Sequence, residues 1–312
     1  MKVTIGTLQK MRAENDRITM LTCTDASFST LLDAAGIDIL LVGDSLAMTV
    51  QGHESTLSAT LDEMIYHTRI VARTAKRALV LGDMPFGSYQ RSPEQAFENA
   101  VRLMSAGAQM VKLEGGEIMA PQIEFLAKRG IPVCGHIGLT PQSVHALGGY
   151  RVQGKTDDAA MQLVTAGKTL QDAGASLMTI ELVPTGVGKA LTDALTIPVM
   201  GIGAGVQCSG QILNLYDMLD IYPGKKPRFV KNFMQGASSI SDAIQRYIAE
   251  VKSGAFPGPE CEFASDCQYL LEFLGSFGPA IGNGSLSIYA PASPFGAEDS
   301  VQIAHDIVSW QT

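Results

Sequence analysis

The feature of this sequence that most constrains its fold is a repeated alternation of short apolar runs with helical segments. Eight runs rich in valine, isoleucine and leucine lie at 18–24, 37–43, 78–84, 109–114, 131–137, 176–183, 197–202 and 211–218. Within a run, apolar and polar residues do not alternate cleanly, which is typical of strands buried on both faces of a parallel sheet. The pattern therefore predicts a sheet whose two faces are both covered.

Helical segments such as 93–106 lie between these runs, and several are followed by a glycine just before the next run. A glycine in this place is typical of the left-handed residue that ends a helix. These glycines are Gly36, Gly107, Gly130 and Gly174. Eight strands that alternate with helices over about 250 residues match a (β/α)8 barrel in number and size. We therefore predict an α/β fold, a (β/α)8 TIM barrel, in which Asn214, Tyr216 and Asp217 make the eighth run amphipathic.

The character of the chain changes after Lys252. The stretch 275–296 is rich in glycine, serine and proline, and 299–310 has a helical pattern and contains the single tryptophan. We predict that residues 1–262 form the catalytic barrel domain and that residues 263–312 form an atypical C-terminal extension. The sequence of the extension is compatible with disorder, with packing across the barrel, or with exchange onto a neighbouring subunit.

Composition narrows the classes of partner. The chain is 46% hydrophobic, and its 23 basic and 31 acidic residues give a net charge of −8. With no extended basic run and 6% aromatic residues, it is a poor candidate for nucleic-acid binding, and we expect no nucleic-acid partner. The five cysteines form no CxxC pair, so the sequence indicates neither a zinc knuckle nor a disulfide framework. Without a signal-peptide pattern or a membrane-spanning apolar run, we expect a cytoplasmic protein that acts on small molecules.

Polar and ionisable residues end five consecutive predicted strands. In a barrel of this type the functional site lies at the carboxyl ends of the strands. The residues at these ends are Asp44 with Ser45, Asp83, Lys112 with Glu114, His136, and Glu181. Because buried charges are costly unless they pair or bind a cation, this set predicts an active site.

Asp44, Asp83 and Glu114 together offer only oxygen donors. Oxygen-only sites suit a hard cation such as Mg²⁺, with positions left for water or substrate. The alternative for Asp44 or Asp83 alone is a cap on the following helix.

Lys112 and Glu114 are two residues apart on one strand, so their side chains point to the same face. Lys112 can pair with the acids and reach an anionic substrate, and the alternatives are a simple buried ion pair or a Schiff-base nucleophile. Glu181 ends an apolar run, and such surroundings suit a carboxyl group to general-base work. Its alternative is a salt bridge to Lys112. His136 is either a supporting donor, a substrate contact or a core histidine.

Several segments of the chain resemble the ketopantoate hydroxymethyltransferase family, in order across residues 3–262. They are LLVGDSLAMTVQGHESTL, LGDMPFGSYQ, MVKLEGGE, CGHIGLTPQSVHALGGYRVQGK, IELVP and GIGAG. The resemblance implies a (β/α)8 barrel of the phosphoenolpyruvate mutase/isocitrate lyase superfamily, which uses Mg²⁺ and 5,10-methylenetetrahydrofolate. Its implied reaction converts 3-methyl-2-oxobutanoate to 2-dehydropantoate in pantothenate and coenzyme A biosynthesis, and its implied assembly is a homodecamer.

The resemblance also implies a role for each strand-end residue. It implies metal ligation by Asp44, Asp83 and Glu114, oxo-acid contacts by Asp44, Ser45, Asp83 and Lys112, a general base at Glu181, and a supporting position for His136. Two other hypotheses stay open at this point. One is a Mg²⁺-dependent 2-oxo acid lyase or mutase of the related barrels, and the other is a paralogue that binds a metabolite without converting it.

Overall fold

In the computed structural model, which describes residues 2–264, parallel strands close into a barrel in which the first strand pairs with both the second and the last. The strands are β1 Ile18–Thr22, β2 Ile39–Val42, β3 Leu79–Asp83, β4 Met110–Glu114, β5 Val133–Gly138, β6 Leu177–Glu181, β7 Val199–Ile202 and β8 Gly210–Leu213. The strand order follows the chain order throughout, so the predicted (β/α)8 barrel is confirmed.

Helices cover the outside of the barrel, and short helices and turns follow some of the strands. The helices are α1 Ile5–Ala13, α2 Ala26–Ala35, α3 Leu46–Thr49, α4 Leu61–Thr74, α5 Pro93–Ser105, α6 Ala120–Ala127, α7 Asp157–Asp172, α8 Thr185–Ala194, α9 Leu215–Met218 and α10 Ile240–Ser253. No helix in residues 2–264 combines the length and the hydropathy that a membrane crossing needs.

The ends of the helices follow from local sequence chemistry. The Thr60 hydroxyl accepts a hydrogen bond from the backbone of Glu63, and the Glu63 carboxylate accepts one from the backbone of Thr60, a capping box at the start of α4. The predicted glycines before the strands all have positive φ angles: Gly36 97°, Gly107 115°, Gly130 79° and Gly174 108°. The pattern that predicted helix ends at these glycines is therefore confirmed.

The eighth apolar run is shorter as a strand than its sequence predicted. We expected a strand over 211–218, whereas β8 ends at Leu213 and α9 begins at Leu215. The Asn214 side chain accepts a hydrogen bond from the backbone N–H of Tyr216 at 3.0 Å and so caps α9. The amphipathic character of this run thus reflects a strand followed directly by a helical turn.

Side chains inside the barrel change character along the barrel axis. At the amino ends of the strands, Ile18, Leu79 and Met110 belong to an interior apolar cluster. Further along the same strands the inward positions become ionisable, as in the series from Met110 through Lys112 to Glu114. Because alternate strand residues share a face, the apolar half of the barrel supports a charged half at the carboxyl ends.

Helix α1 closes the amino end of the barrel. Its residues Leu8 and Met11, together with Val3, pack into the interior apolar cluster. Arg12 at the end of α1 donates hydrogen bonds to the carbonyls of Thr192 and Thr196, at 2.9 Å and 3.0 Å. The open end of the barrel is therefore the carboxyl end, where the predicted site lies.

Residues 265–312 lie outside the described residues, and so does the helical pattern predicted at 299–310. The predicted division into 1–262 and 263–312 stays a prediction. Phe263 still contacts the barrel domain, because its carbonyl accepts a hydrogen bond from the backbone N–H of Thr185 at 3.1 Å.

Candidate active site at the carboxyl ends of the strands

Strand register brings the predicted residues together. Asp83 on β3 is the direct neighbour of Lys112 on β4, and Glu114 on β4 is the direct neighbour of His136 on β5. Paired residues of adjacent strands project to the same side of the sheet, which here is the barrel interior. Asp44 follows Gly43 at the end of β2, which pairs with β3, so Asp44 joins the group on the β3 side.

The three carboxylates that were predicted as metal ligands form one buried cluster. Each of Asp44, Asp83 and Glu114 offers an oxygen atom, and these atoms lie within 4.8 Å of one another. All three residues are buried, with an exposed fraction of 4% or less. Neither Asp44 nor Asp83 caps a following helix. Helix α3, directly after Asp44, has Ser45 at its N-cap position and no side-chain cap hydrogen bond, and α5 is capped by Ser92. The capping alternative is therefore wrong.

Lys112 lies beside two of these carboxylates. Its Nζ donates to both oxygens of Asp83 at 2.8 Å and to Oε1 of Glu114 at 3.2 Å. Burial lowers the pKa of Lys112, but the carboxylates of Asp83, Glu114 and Asp44 outweigh burial and raise it well above its usual value. A lysine held charged in this way is a poor Schiff-base nucleophile, which disfavours that alternative.

The negative charge of the three carboxylates exceeds the positive charge of the side chains around them. Burial, then the charges of Asp83 and Glu114, raises the pKa of Asp44 well above its usual value. Burial would also raise the pKa of Glu114, but Lys112 and His136 lower it to about 2. Lys112 and His136 thus offset the negative charge of Glu114, but they offset too little of the negative charge around Asp44. A divalent cation held by oxygen atoms fits this donor set.

His136 lies between Glu114 and Glu181. Its Nδ1 is 3.3 Å from Oε1 of Glu114, and its Nε2 is 3.3 Å from Oε2 of Glu181, although neither contact has the angles of a hydrogen bond. Burial lowers the pKa of His136, but the two carboxylates outweigh it and raise the pKa to about 9. Of the alternatives left open for His136, its position between two carboxylates favours a supporting role.

Glu181 ends β6 and is the most accessible carboxylate of the group, with 13% of its side chain exposed. Its neighbour is His136. Lys112 pairs instead with Asp83 and Glu114, so the alternative salt bridge between Lys112 and Glu181 is not formed. Gly138 makes room for the backbone here, because a Cβ atom at its φ of 87° would collide with the Glu181 carbonyl oxygen. Glu181 therefore faces the open part of the site.

Two buried residues at the site were missed from the sequence. The Gln142 side-chain Nε2 donates to Oδ2 of Asp44 at 2.9 Å, and its backbone N–H donates to Oε2 of Glu114 at 3.0 Å. The hydroxyl of Tyr89, which is fully buried, donates to the Gln142 Oε1 at 2.6 Å. Both lie in segments quoted for the family resemblance, but nothing in their local pattern pointed to the carboxylates.

The site lies in a cavity of about 650 Å³. Asp44, Asp83, Lys112, Glu114, His136 and Glu181 all line it, and so does Ser45, whose Oγ accepts a hydrogen bond from Asn214 Nδ2 at 3.2 Å. The structure therefore brings together all seven residues that were predicted from the strand ends.

The outer wall of the cavity is formed by residues that were not predicted as site residues. Tyr150 and Tyr222 line it, as do the basic residues Lys225, Lys226 and Arg228. The short segment KKPR in an acidic chain was the signal that could have indicated this wall.

Comparison with known proteins gives concordant results. The family model described as ketopantoate hydroxymethyltransferase matches residues 2–259. The 3-methyl-2-oxobutanoate hydroxymethyltransferase of Nitrosospira multiformis is 57% identical over 263 residues, which cover 84% of this chain and 100% of that protein. The protein of the same name from Azoarcus sp. is 58% identical over 259 residues, covering 83% of this chain and 96% of that protein.

Solved structures show a similar fold at much lower identity. A putative phosphonomutase from Burkholderia cenocepacia has a TM-score of 0.55 at 14% identity, covering 70% of this chain and 95% of that one. A putative lyase/mutase from the same organism has a TM-score of 0.53 at 16% identity, covering 83% and 97%. At these identities the similarity concerns the barrel fold alone.

Proposed function

Because the chain belongs to the ketopantoate hydroxymethyltransferase family, we propose that it transfers a hydroxymethyl group from 5,10-methylenetetrahydrofolate to 3-methyl-2-oxobutanoate. The reaction consumes one molecule of water, and its products are 2-dehydropantoate and tetrahydrofolate. The observation that carries the proposal is the group of buried carboxylates, Asp44, Asp83 and Glu114, held with Lys112 at the floor of a cavity into which Glu181 projects.

Asp44, Asp83 and Glu114 are the residues that would hold a divalent cation, with Mg²⁺ the proposed one. The fit rests on their oxygen-only donors within 4.8 Å of one another and on their burial. A bound Mg²⁺ supplies Lewis acidity that polarises the carbonyl of a 2-oxo acid.

The side chains around this cluster account for the handling of the oxo acid. Lys112, whose charge is maintained by its carboxylate neighbours, is placed to offset the negative charge that develops on the oxo acid as a proton leaves C3. Ser45, at the cavity wall beside Asp44, is proposed to contact the same substrate. These groups favour binding of an anion with an adjacent carbonyl.

Glu181 is proposed as the general base that takes the proton from C3. Its accessible carboxylate faces the cavity, and His136 Nε2 lies 3.3 Å from it on the buried side. Over the whole reaction, the electron pair left on C3 and the oxygen of one water molecule form the two new bonds of the one-carbon unit. Its two bonds to folate nitrogens break, and these nitrogens take up the proton from C3 and one proton from the water. A positioned base of this kind contributes about 10²–10⁴-fold to a rate.

The outer part of the cavity is proposed to hold the folate. Tyr150 and Tyr222 offer aromatic surface in this part of the cavity, and Lys225, Lys226 and Arg228 also line it. Lys226 pairs with Asp220, and the Arg228 Nε donates to the Glu260 carbonyl at 3.1 Å. Lys225 is exposed and makes no hydrogen bond or ion pair with the residues that the structure describes. Lys225 is therefore the basic side chain best placed for the carboxylates that folates carry at the end remote from the pterin.

The two other hypotheses are less well supported. A lyase or mutase of the related barrels would be expected to use a reactive cysteine in a loop, but Cys134 is buried on β5 and burial raises its pKa to about 12. A protein that binds a metabolite without converting it would not need both the three carboxylates of the cluster and the carboxylate of Glu181. High identity over the whole length of named hydroxymethyltransferases favours the first proposal.

The decisive experiment follows proton exchange at C3 of 3-methyl-2-oxobutanoate in D₂O by NMR, with and without Mg²⁺, and then with 5,10-methylenetetrahydrofolate. Metal-dependent exchange, with a hydroxymethylated product only when folate is added, is the expected result. Exchange without transfer would contradict the folate part of the proposal. Absence of exchange would contradict catalysis altogether.

We also infer a homo-oligomer in the cytoplasm, with the decamer implied by the family as the specific prediction. Light scattering tests the assembly directly. A mass near that of one 33.1 kDa chain would contradict it.

A further inference from the structure

We propose that Gln142 is a positioning residue that holds two of the cluster carboxylates, Asp44 and Glu114, in the arrangement that binds the divalent cation. The inference rests on the proposed function, because it assigns a residue to the cation site of that reaction. It is carried by a buried hydrogen-bond network that joins the loop after β5 to the ends of three other strands.

Gln142 reaches two carboxylates through different groups. Its side-chain Nε2 donates to Oδ2 of Asp44 at 2.9 Å, while its backbone N–H donates to Oε2 of Glu114 at 3.0 Å. Asp44 follows β2 and Glu114 ends β4, so one residue fixes side chains that come from separate strands. Groups that orient metal ligands in this way commonly control metal affinity.

The orientation of the Gln142 amide is determined by its surroundings. The second Nε2 hydrogen is donated to the carbonyl of Met84 at 2.9 Å. A carbonyl and a carboxylate can only accept, so the amide atom that faces both must be the nitrogen. The Oε1 atom on the other side accepts from the Tyr89 hydroxyl at 2.6 Å and from Gln90 Nε2 at 3.3 Å. All hydrogen-bonding groups of the amide are thus used.

Tyr89 supports the same arrangement. Its hydroxyl accepts the backbone N–H of Glu114 at 3.0 Å and donates to Gln142 Oε1, so it joins the strand that bears Glu114 to the amide. Because Tyr89 is fully buried, water does not compete for these bonds.

The alternative is that Gln142 only satisfies buried backbone groups such as the Met84 carbonyl. That role would affect folding stability and leave cation affinity unchanged. Gln122 provides a matched control, because it is also a buried glutamine, with 6% exposure, and its Nε2 contacts the Gln90 carbonyl at 3.5 Å rather than a carboxylate.

The test measures Mn²⁺ binding to the full-length protein by electron paramagnetic resonance and, on the same samples, the thermal unfolding midpoint. Gln142→Met keeps the length of the side chain but removes the amide, and we expect it to raise the Kd for Mn²⁺ about 10–100-fold. Gln122→Met is expected to keep the wild-type Kd. An unchanged Kd in a folded Gln142→Met protein would overturn the proposal.

Tyr89→Phe is the second variant, and it removes the hydroxyl that donates to the Gln142 amide and accepts the backbone N–H of Glu114. We expect its Kd for Mn²⁺ to rise by less than that of Gln142→Met, in a protein that stays folded at the temperature of the measurement. If Gln142→Met fails to fold, a wild-type Kd in Tyr89→Phe overturns the proposal. If the wild-type protein binds no Mn²⁺, the cation site of the proposed function is wrong. That result differs from an unchanged Kd in the variants, which would contradict only the role of Gln142.

Discussion

The imidazole Nε2 of His136 lies 3.3 Å from Oε2 of Glu181, on the side of the carboxylate that faces the barrel interior. The other ring nitrogen faces Glu114, so the ring separates the proposed base from the carboxylates that would hold the cation. This separation lets two carboxylates in one cavity do different work, one as a base and the other as a ligand.

Replacing Glu181 by glutamine is expected to lower turnover roughly 10²–10⁴-fold while binding of the oxo acid survives, because the amide cannot accept the C3 proton. Exchange of the C3 proton in D₂O and calorimetric binding of the oxo acid measure the two effects separately. Glu124→Gln, an exposed substitution on α6, is the control. Near-normal turnover in Glu181→Gln would rule out this base.

Replacing Lys112 by methionine is expected to destabilise the metal-free protein by about 3–5 kcal/mol, because it leaves buried carboxylates without their partner. Urea unfolding in EDTA measures the loss, and added Mg²⁺ is expected to restore part of it. Lys10→Met removes an exposed lysine and is expected to change little. An unchanged unfolding midpoint for Lys112→Met in EDTA would contradict the prediction.

Removal of divalent cations is expected to abolish C3 proton exchange, and Mg²⁺, Mn²⁺ or Co²⁺ is expected to restore it, because oxygen-only sites accept several such ions. Asp44→Asn removes a ligand charge from the cluster and is expected to require a higher cation concentration. The measurement is the cation dependence of exchange after treatment with EDTA. Full exchange in the presence of excess EDTA would contradict a metal-dependent step.

Lys225→Gln is expected to raise the KM for 5,10-methylenetetrahydrofolate several-fold and to leave C3 exchange unchanged, because Lys225 lines the outer cavity. The expected increase is larger for folates with longer glutamate tails, and the difference shrinks at high salt because exposed charges are screened. Lys168→Gln, an exposed change on α7, is the control. Equal KM values for Lys225→Gln and wild type would remove Lys225 from the folate subsite.

Cys23, Cys134 and Cys208 are expected to resist alkylation in the native protein. Burial raises the pKa of each of these thiols to about 12, so at pH 8 the reactive thiolate is scarce and becomes abundant only near the raised pKa. Peptide mapping by mass spectrometry after iodoacetamide treatment, with and without denaturant, measures this. Rapid native labelling of any of the three would contradict their burial.

The barrel and the strand-end residues could be predicted because both depend on local pattern. A strand buried on both faces must be apolar, so an aspartate or lysine at its end, such as Asp83 or Lys112, stands out in the sequence. Register then follows from barrel closure, which explains why residues from different strands meet where the sequence predicted.

What could not be predicted depends on partners that are distant in the sequence. Gln142 and Asp44 are 98 positions apart, and a polar residue in a loop gives no local indication of its hydrogen-bond partner. The same reason explains why the pairing of Lys112 with Asp83, rather than with Glu181, stayed open. Asn214 shows a third limit, because a helix cap within an apolar run resembles an interrupted strand.

The way in which α1 closes the barrel has a consequence for biosynthesis. Leu8 and Met11 leave the ribosome before any strand of the barrel, yet the interior apolar cluster that they join includes Ile212 on β8. Arg12 likewise finds its partners at Thr192 and Thr196 only when those residues have been made. Helix α1 is therefore made before all the strands but is among the last elements to reach its native contacts, so that a nascent chain that has not yet reached β8 exposes the apolar face of α1.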